Sequence, residues 1–231
     1  MRPDPPATGS FVADLTPDTW SALQGYGRSR SYRAENALLH QGEPPGHVLV
    51  LRYGWVKITS VSRNGTEALL ALRGPGDLLG EMAVVDGEPR SATVTTLTEV
   101  GALVVEGRRF VQAADELPGL ALALARHVSH SLRESDGKRL EYVSADSSGR
   151  VAALLLDLSE THGQSTDGGR TIDLPLSQRD LAAAAATSRE AVARVLRKLR
   201  DRNVIRTGRR RIEILQPEVL RSLCRSVSDD A

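Results

Sequence analysis

Residues 177–199 read SQRDLAAAAATSREAVARVLRKL, and the organisation of the C-terminal third follows from them. Ser177, with Asp180 three positions on, is a capping-box start for a helix over 178–185. Ala186-Thr187 interrupts it, and Ser188 caps a second helix over 189–200 whose Val192, Val195, Leu196 and Leu199 form an inward face. Two short helices about a tight turn, the second one basic, make a helix-turn-helix. Such a turn favours glycine, for a positive φ; here Ala186 or Thr187 has to take it, and mild strain is expected. Arg189, Glu190 and Arg194 fall where side chains reach base edges, arginine gripping guanine O6 and N7 and glutamate accepting from cytosine N4. Arg197, Lys198 and Arg200 suit phosphate. Residues 204–206 and 210–215 around Thr207-Gly208 read as a hairpin wing, with Arg209 and Arg210 near its tip. Ser177, Gln178 and Ser188, at the helix starts, complete the set of expected DNA contacts.

The charge pattern supports this placement. The 231 residues carry a formal charge of +1. Residues 189–211 hold ten Lys/Arg against two acids, +8, so the rest of the chain sums to −7. A solvated basic face would show the same block. With the cap, the turn and the hairpin in order around it, it is an electrostatic footprint for nucleic acid.

Upstream, the texture differs. Residues 1–14 are Pro-rich and polar and read as a flexible tail, and Thr16 and Pro17 open a helix. From about 30 to 106, short β-rich runs at 37–40, 47–52, 55–60, 67–72, 91–96 and 99–105 are separated by glycine turns, Asn64-Gly65 being the strongest hairpin signal. Many short strands at this spacing predict a barrel or sandwich. At Arg108 the period changes to about 3.6. Phe110, Ala113 and Ala114 mark a short helix ending near Pro118, and a long helix follows over about 120–142. Its Leu120, Leu124, Val128 and Leu132 could cover the barrel. Ala121, Leu124, Val128, Ser131, Ser135, Lys138 and Tyr142 instead step by three and four, the spacing of a two-helix seam, which reads as a dimer helix. Residues 145–149 read as a turn and domain boundary, 150–160 as a helix and 162–169 as a loop. The expected division is a tail (1–14), a β-domain (15–117), a dimerisation helix (118–144), a winged helix-turn-helix domain (145–223) and a tail (224–231).

A second constellation lies in the β-domain: Gly80-Glu81-Met82-Ala83 and, after a bridge, Pro89-Arg90-Ser91-Ala92. A helical turn at 81–85 would point N–H groups at an anion, Arg90 would neutralise a phosphate and Ser91 would donate to it. Glu81 would repel a phosphate unless it accepts a hydrogen bond, as from a sugar hydroxyl. The set asks for one phosphate beside a ribose, although a surface Glu–Arg pair closing a loop would look alike.

With both constellations in this order, the chain resembles the cyclic-AMP receptor protein / fumarate-nitrate-reduction regulator superfamily of bacterial transcription factors over about residues 15–215. The resemblance implies an α+β chain: an N-terminal cyclic-nucleotide-binding β-roll, jelly-roll-like, a long dimerisation helix and a C-terminal winged helix. It implies that Glu81 holds the ribose 2′-hydroxyl and that Arg90 and Ser91 hold the cyclic phosphate, with backbone help at Gly80, Met82 and Ala83. It maps the purine contacts to Ser135 and Asp136. Asp136 departs from the receptor's Thr–Ser pair and could accept from an adenine amino group or from guanine N1 and N2. The expected protein is a homodimer on double-stranded DNA at TGTGA-type palindromic half-sites, switched by cyclic AMP, with RNA polymerase as a further partner. A nucleotide-independent regulator, the roll serving as scaffold or sensing another ligand, is the alternative.

Other classes are disfavoured by the residues themselves. The lone Cys224 provides no disulfide, zinc or iron–sulfur framework, and no triad or paired carboxylates point to an enzyme. His127 and His130 read as seam-edge or solvent residues, and His40 and His47 as surface groups, so neither a haem nor a metal ligand set is expected. Apolar runs are too short to span a bilayer and the N-terminus lacks a signal peptide's apolar core. A cytoplasmic location with no membrane partner is expected.

Overall fold

The computed structural model describes residues 9–144, 146–166 and 169–225. The chain divides into two compact units, 1–134 and 135–231. In the first, α1 (Pro17–Gln24) starts at Thr16, whose side chain accepts from the Thr19 amide. Two four-stranded antiparallel sheets follow. One orders β1 (Gly27–Tyr32), β8 (Val100–Glu106), β3 (His47–Tyr53) and β6 (Leu78–Leu79); the other orders β2 (Ala37–Leu39), β7 (Thr93–Thr96), β4 (Val56–Val61) and β5 (Glu67–Arg73). Gly65, at φ +82°, turns the chain between β4 and β5.

Strand β3 shows why its sequence lacks alternation. Leu49 and Leu51 pack with Leu39, Leu79, Val94 and Ala102 in one core cluster, while Val48 and Val50 join a second cluster with Leu103, Val105, Phe110 and Leu120. Both faces are covered, so both parities are apolar. The second cluster is capped by α3 (Gly107–Glu116) and by the start of α4 (Leu120–Ser144). Strand β1, GRSRSY, falls outside the expected strands: it is an edge strand whose side chains are mostly exposed, so no apolar period marks it.

The expected tail 1–14 is corrected in its described part. Phe11 is fully buried in the core, Val12–Asp14 form a 3-10 turn, and the Val12 N–H donates to the Gly76 carbonyl at 2.9 Å. Burying an aromatic ring outweighs the entropy of fixing a short segment; residues 1–8 lie outside the described residues.

The second unit contains α5 (Ser147–His162), β9 (Gly163–Thr166), β10 (Gly169–Ile172), α6 (Gln178–Ala184), α7 (Arg189–Asp201), β11 (Ile205–Gly208), β12 (Arg211–Ile214) and α8 (Pro217–Arg225). Its sheet runs β11-β12-β10-β9. Two expectations change here. Asp146 accepts from the Gly149 amide at 2.7 Å and caps α5, so 147–149 are helix and not turn. Residues 163–166 and 169–172 pair as a hairpin where a loop was expected, because β12 supplies the neighbour that a polar, glycine-rich segment cannot signal alone. Residue 224, expected in the C-terminal tail, belongs to α8; residues 226–231 lie outside the described residues.

Candidate functional site

In the first unit the Gly80–Ser91 cassette is brought together around a short helix, α2 (Glu81–Asp86). Gly80 caps it in the left-handed conformation, φ +77°, and a Cβ there would lie 2.6 Å from Arg90 Nη1. Only glycine permits both the turn and this approach. Arg90 is 5% exposed; Nη1 donates to the Gly80 carbonyl and Nη2 to the His47 carbonyl, each at 2.6 Å. Of the five N–H donors a guanidinium carries, these two positions are already committed to backbone. Burial pulls the Arg90 pKa down while Glu81 and Glu43 push it up; a guanidinium stays charged through this.

Glu81 is buried, and burial raises its carboxyl pKa, opposed by its own amide and by the charges of Arg73 and Arg90. Ala83 faces the core, whereas Met82 is 53% exposed and Ser91 is exposed beside Arg90. Ser135 and Asp136 are exposed positions of α4 beyond Glu134, in the second unit.

Helix α4 meets the roll through a different stripe from the one expected. Leu120, Ala123 and His127 are buried and Leu124, Ser131 and Glu134 half-buried, while Ala121, Ala125, Val128 and Leu132 are exposed. Leu120, Ala123 and Leu124 pack into the second core cluster and Arg73 of β5 reaches Glu134 at 2.9 Å and Ser131 at 3.5 Å, so the buried arc is turned by about one residue. His127, expected at a seam edge or in solvent, is only 7% exposed, its Nε2 3.7 Å from Glu81 Oε1. Burial lowers its pKa to about 4, so near neutral pH this contact is a neutral imidazole against a carboxyl group, not an ion pair. Sequence reasoning missed His127 and Arg73. The step from Leu120 through Ala123 to His127 was the available signal, hidden by the unbroken apolar run over 120–125.

In the second unit the helix-turn-helix forms as expected. Ser177 and Asp180 make a reciprocal capping box, Ser177 Oγ donating to Asp180 Oδ2 at 2.6 Å. The Ser177 hydroxyl is therefore engaged within its own helix, while Gln178 is exposed beside it. Ala186 takes the turn at φ +44°, and α5 steadies it: Arg150 donates to the carbonyls of Ala185 at 2.9 Å and Ala186 at 3.2 Å, and Thr187 bonds to Ser147 at 3.0 Å. Ser188 caps α7 by accepting from the Ala191 amide. Arg189, Glu190, Arg194, Arg197 and Lys198 are exposed, opposite the buried Val192, Val195 and Leu199. Glu190 is held ionised, its pKa lowered by its own amide and by the Ser188 hydroxyl. Arg209 and Arg210 form the tip between β11 and β12, Arg210 at φ +60°. Together these groups present bidentate donors, one fixed acceptor and flanking cations, the chemistry of base-edge and phosphate recognition.

Among the described residues no helix is long and apolar enough to cross a membrane, and no cluster of three or more His, Cys, Asp or Glu is arranged for a metal ion.

Residues 29–116 match the cyclic nucleotide-binding domain family, and residues 149–223 the Crp-like helix-turn-helix domain family. A CRP-like cAMP-activated global transcriptional regulator of Mycobacterium tuberculosis is 30% identical over 214 residues, 93% of this chain and 96% of that protein. A solved CRP/FNR-family transcriptional regulator of Thermus thermophilus aligns with a TM-score of 0.72 at 28% identity, over 87% of this chain and 100% of the other. The c-di-GMP-responsive global regulator CLP of Xanthomonas campestris shares the fold, with a TM-score of 0.76 at 22% identity, over 86% of this chain and 99% of the other. Relatives of this kind are regulators and not enzymes. With both domains matched in order and a 30% identical relative aligned along nearly its whole length, this chain belongs to the CRP/FNR family of transcription regulators.

Proposed function

We propose that the protein is a homodimeric, sequence-specific DNA-binding regulator switched by cyclic AMP. The observation that carries this reading is the pairing of buried Glu81 with buried Arg90 around the Gly80 turn, an acceptor and a cation placed together with exposed Ser91 alongside. A buried carboxylate beside a phosphate-holding guanidinium serves a ligand with a hydroxyl next to its phosphate, as in a cyclic ribonucleotide. The relative activated by cAMP favours the adenine form. Ser135 and Asp136 are the proposed purine contacts. Asp136 also suits the N1 and N2 donors of guanine, so base choice is a direct test.

The exposed positions Ala121, Ala125, Val128 and Leu132 step by four, three and four along α4, the spacing of a dimer seam. Dimerisation would set two copies of α7 about 34–36 Å apart on TGTGA-type half-sites, with Arg189, Glu190 and Arg194 reading bases and Lys198, Arg209 and Arg210 on phosphate. RNA polymerase is the proposed further partner, and the cytoplasm the proposed location.

Calorimetric titration of the full chain with cyclic AMP, cyclic GMP and cyclic di-GMP tests the ligand. Saturable binding of cyclic AMP, weakened about tenfold in Glu81→Gln, is expected. Tighter binding of a guanine nucleotide would reassign the base, and no heat with any of the three would make the roll a nucleotide-independent scaffold.

A further inference from the structure

Helix α4 carries one buried histidine that neither the nucleotide cassette nor the DNA-facing surface accounts for. His127 is anchored from several sides. Its ring meets Phe11 edge-on, with centroids 6.0 Å apart and planes at 77°, and it interacts with the Leu78 backbone three residues before Glu81. The third side faces Glu81, Nε2 to Oε1 at 3.7 Å. Glu81 itself is held loosely: among the described residues the only hydrogen bond to its carboxylate comes from its own amide. The carboxylate side chain is 12% exposed, so water is scarce around it. A buried carboxylate with one weak local hydrogen bond needs a polar neighbour to fix its rotamer. The imidazole sets a polar ring nitrogen beside one oxygen and leaves the other to accept from a ligand.

We propose that His127 is a positioning residue for ribose recognition: from α4 it fixes Glu81 so that the carboxylate meets the nucleotide 2′-hydroxyl. The inference rests on the cyclic-nucleotide reading of the cassette and extends it to a residue on another element. It also gives α4 a direct contact with the ligand-binding carboxylate, through a side chain fixed by Phe11 and Leu78 instead of by ligand.

The test compares cyclic AMP with 2′-deoxy cyclic AMP, which lacks only the hydroxyl in question. Affinities of the full chain are measured for wild type, Glu81→Gln, His127→Leu, His127→Phe and His127→Gln. Wild type is expected to prefer the ribose form by about tenfold, the scale of one hydrogen bond to a charged group. Glu81→Gln should lose that preference. His127→Leu and His127→Phe should retain affinity for the deoxy ligand within about twofold yet discriminate by less than about threefold. His127→Gln, which keeps an amide donor for the Leu78 backbone, should restore most of the preference. His127→Phe retains a ring against Phe11 and decides the matter if His127→Leu does not fold. Undiminished discrimination in either apolar variant overturns the role of His127. Failure of wild type to bind either nucleotide overturns the ligand reading itself, and equal binding of the two by wild type overturns the ribose role of Glu81.

Discussion

At Gly80 a single hydrogen in place of a methyl group decides where Arg90 sits. The residue adopts φ +77°, and the missing Cβ would fall 2.6 Å from Arg90 Nη1 and 2.9 Å from a Leu39 methyl. Gly80→Ala should therefore push the guanidinium off the Gly80 and His47 carbonyls, weaken cyclic AMP binding by tenfold or more and cost about 1–2 kcal/mol of stability. Titration and denaturant unfolding would measure both. His127 gives a pH signature. Its folded pKa of about 4 lies below its ordinary 6.5, so the unfolded chain takes up a proton that the folded chain refuses. Wild type should lose on the order of 2 kcal/mol relative to His127→Gln as pH falls from 7 to 4. Arg73, His130 and Asp14 also act on this ring. The raised pKa values of Glu81 and Asp77 work in the opposite direction, favouring the folded state as they protonate, and are common to both proteins. Equal pH slopes for the two would contradict a neutral, buried His127.

Elements were legible where sequence carried either a cap or a one-sided pattern. Ser177, Asp180 and Ser188 announced α6 and α7, and the expected strain settled on Ala186. Ala186→Gly should relieve it and raise stability by about 0.5 kcal/mol, visible as a higher melting temperature; a decrease would mean that Arg150 and Ser147 hold the turn without strain. What escaped reading had a partner remote in sequence. Strand β1 is polar and edge-placed, β9 and β10 depend on β12, and the face of α4 is set by the core of the roll, with Arg73 and Glu81 also touching it. In the cassette, residue types were readable but depth was not, since Arg90 and Glu81 read as surface charges in sequence yet are buried in the fold. On α7 the two kinds of contact should separate cleanly. Arg189→Ala should relax base preference at a cost of about 1–3 kcal/mol on the preferred site, while Lys198→Ala should weaken all sequences alike and lower the salt slope by about one. A binding-site selection run at two salt concentrations distinguishes them, and equal losses without altered preference from both would misplace the recognition helix.

Over the whole molecule, charge and burial are divided between the two units. The basic block lies on α7 and the wing, where it supplies sequence-independent attraction to DNA, while the buried acceptor and cation lie in the roll. A switch requires the ligand to favour the DNA-ready arrangement, and a typical coupling of about 1–3 kcal/mol corresponds to roughly 5–150-fold in affinity. The most direct measurement is equilibrium binding of the full chain to a TGTGA–N6–TCACA duplex at fixed salt, with and without cyclic AMP, for wild type and the isosteric Glu81→Gln. At a cyclic AMP concentration that just saturates the wild type, DNA binding should tighten by at least about fivefold in wild type and clearly less in Glu81→Gln. Tight binding indifferent to the nucleotide in both proteins would contradict the switch.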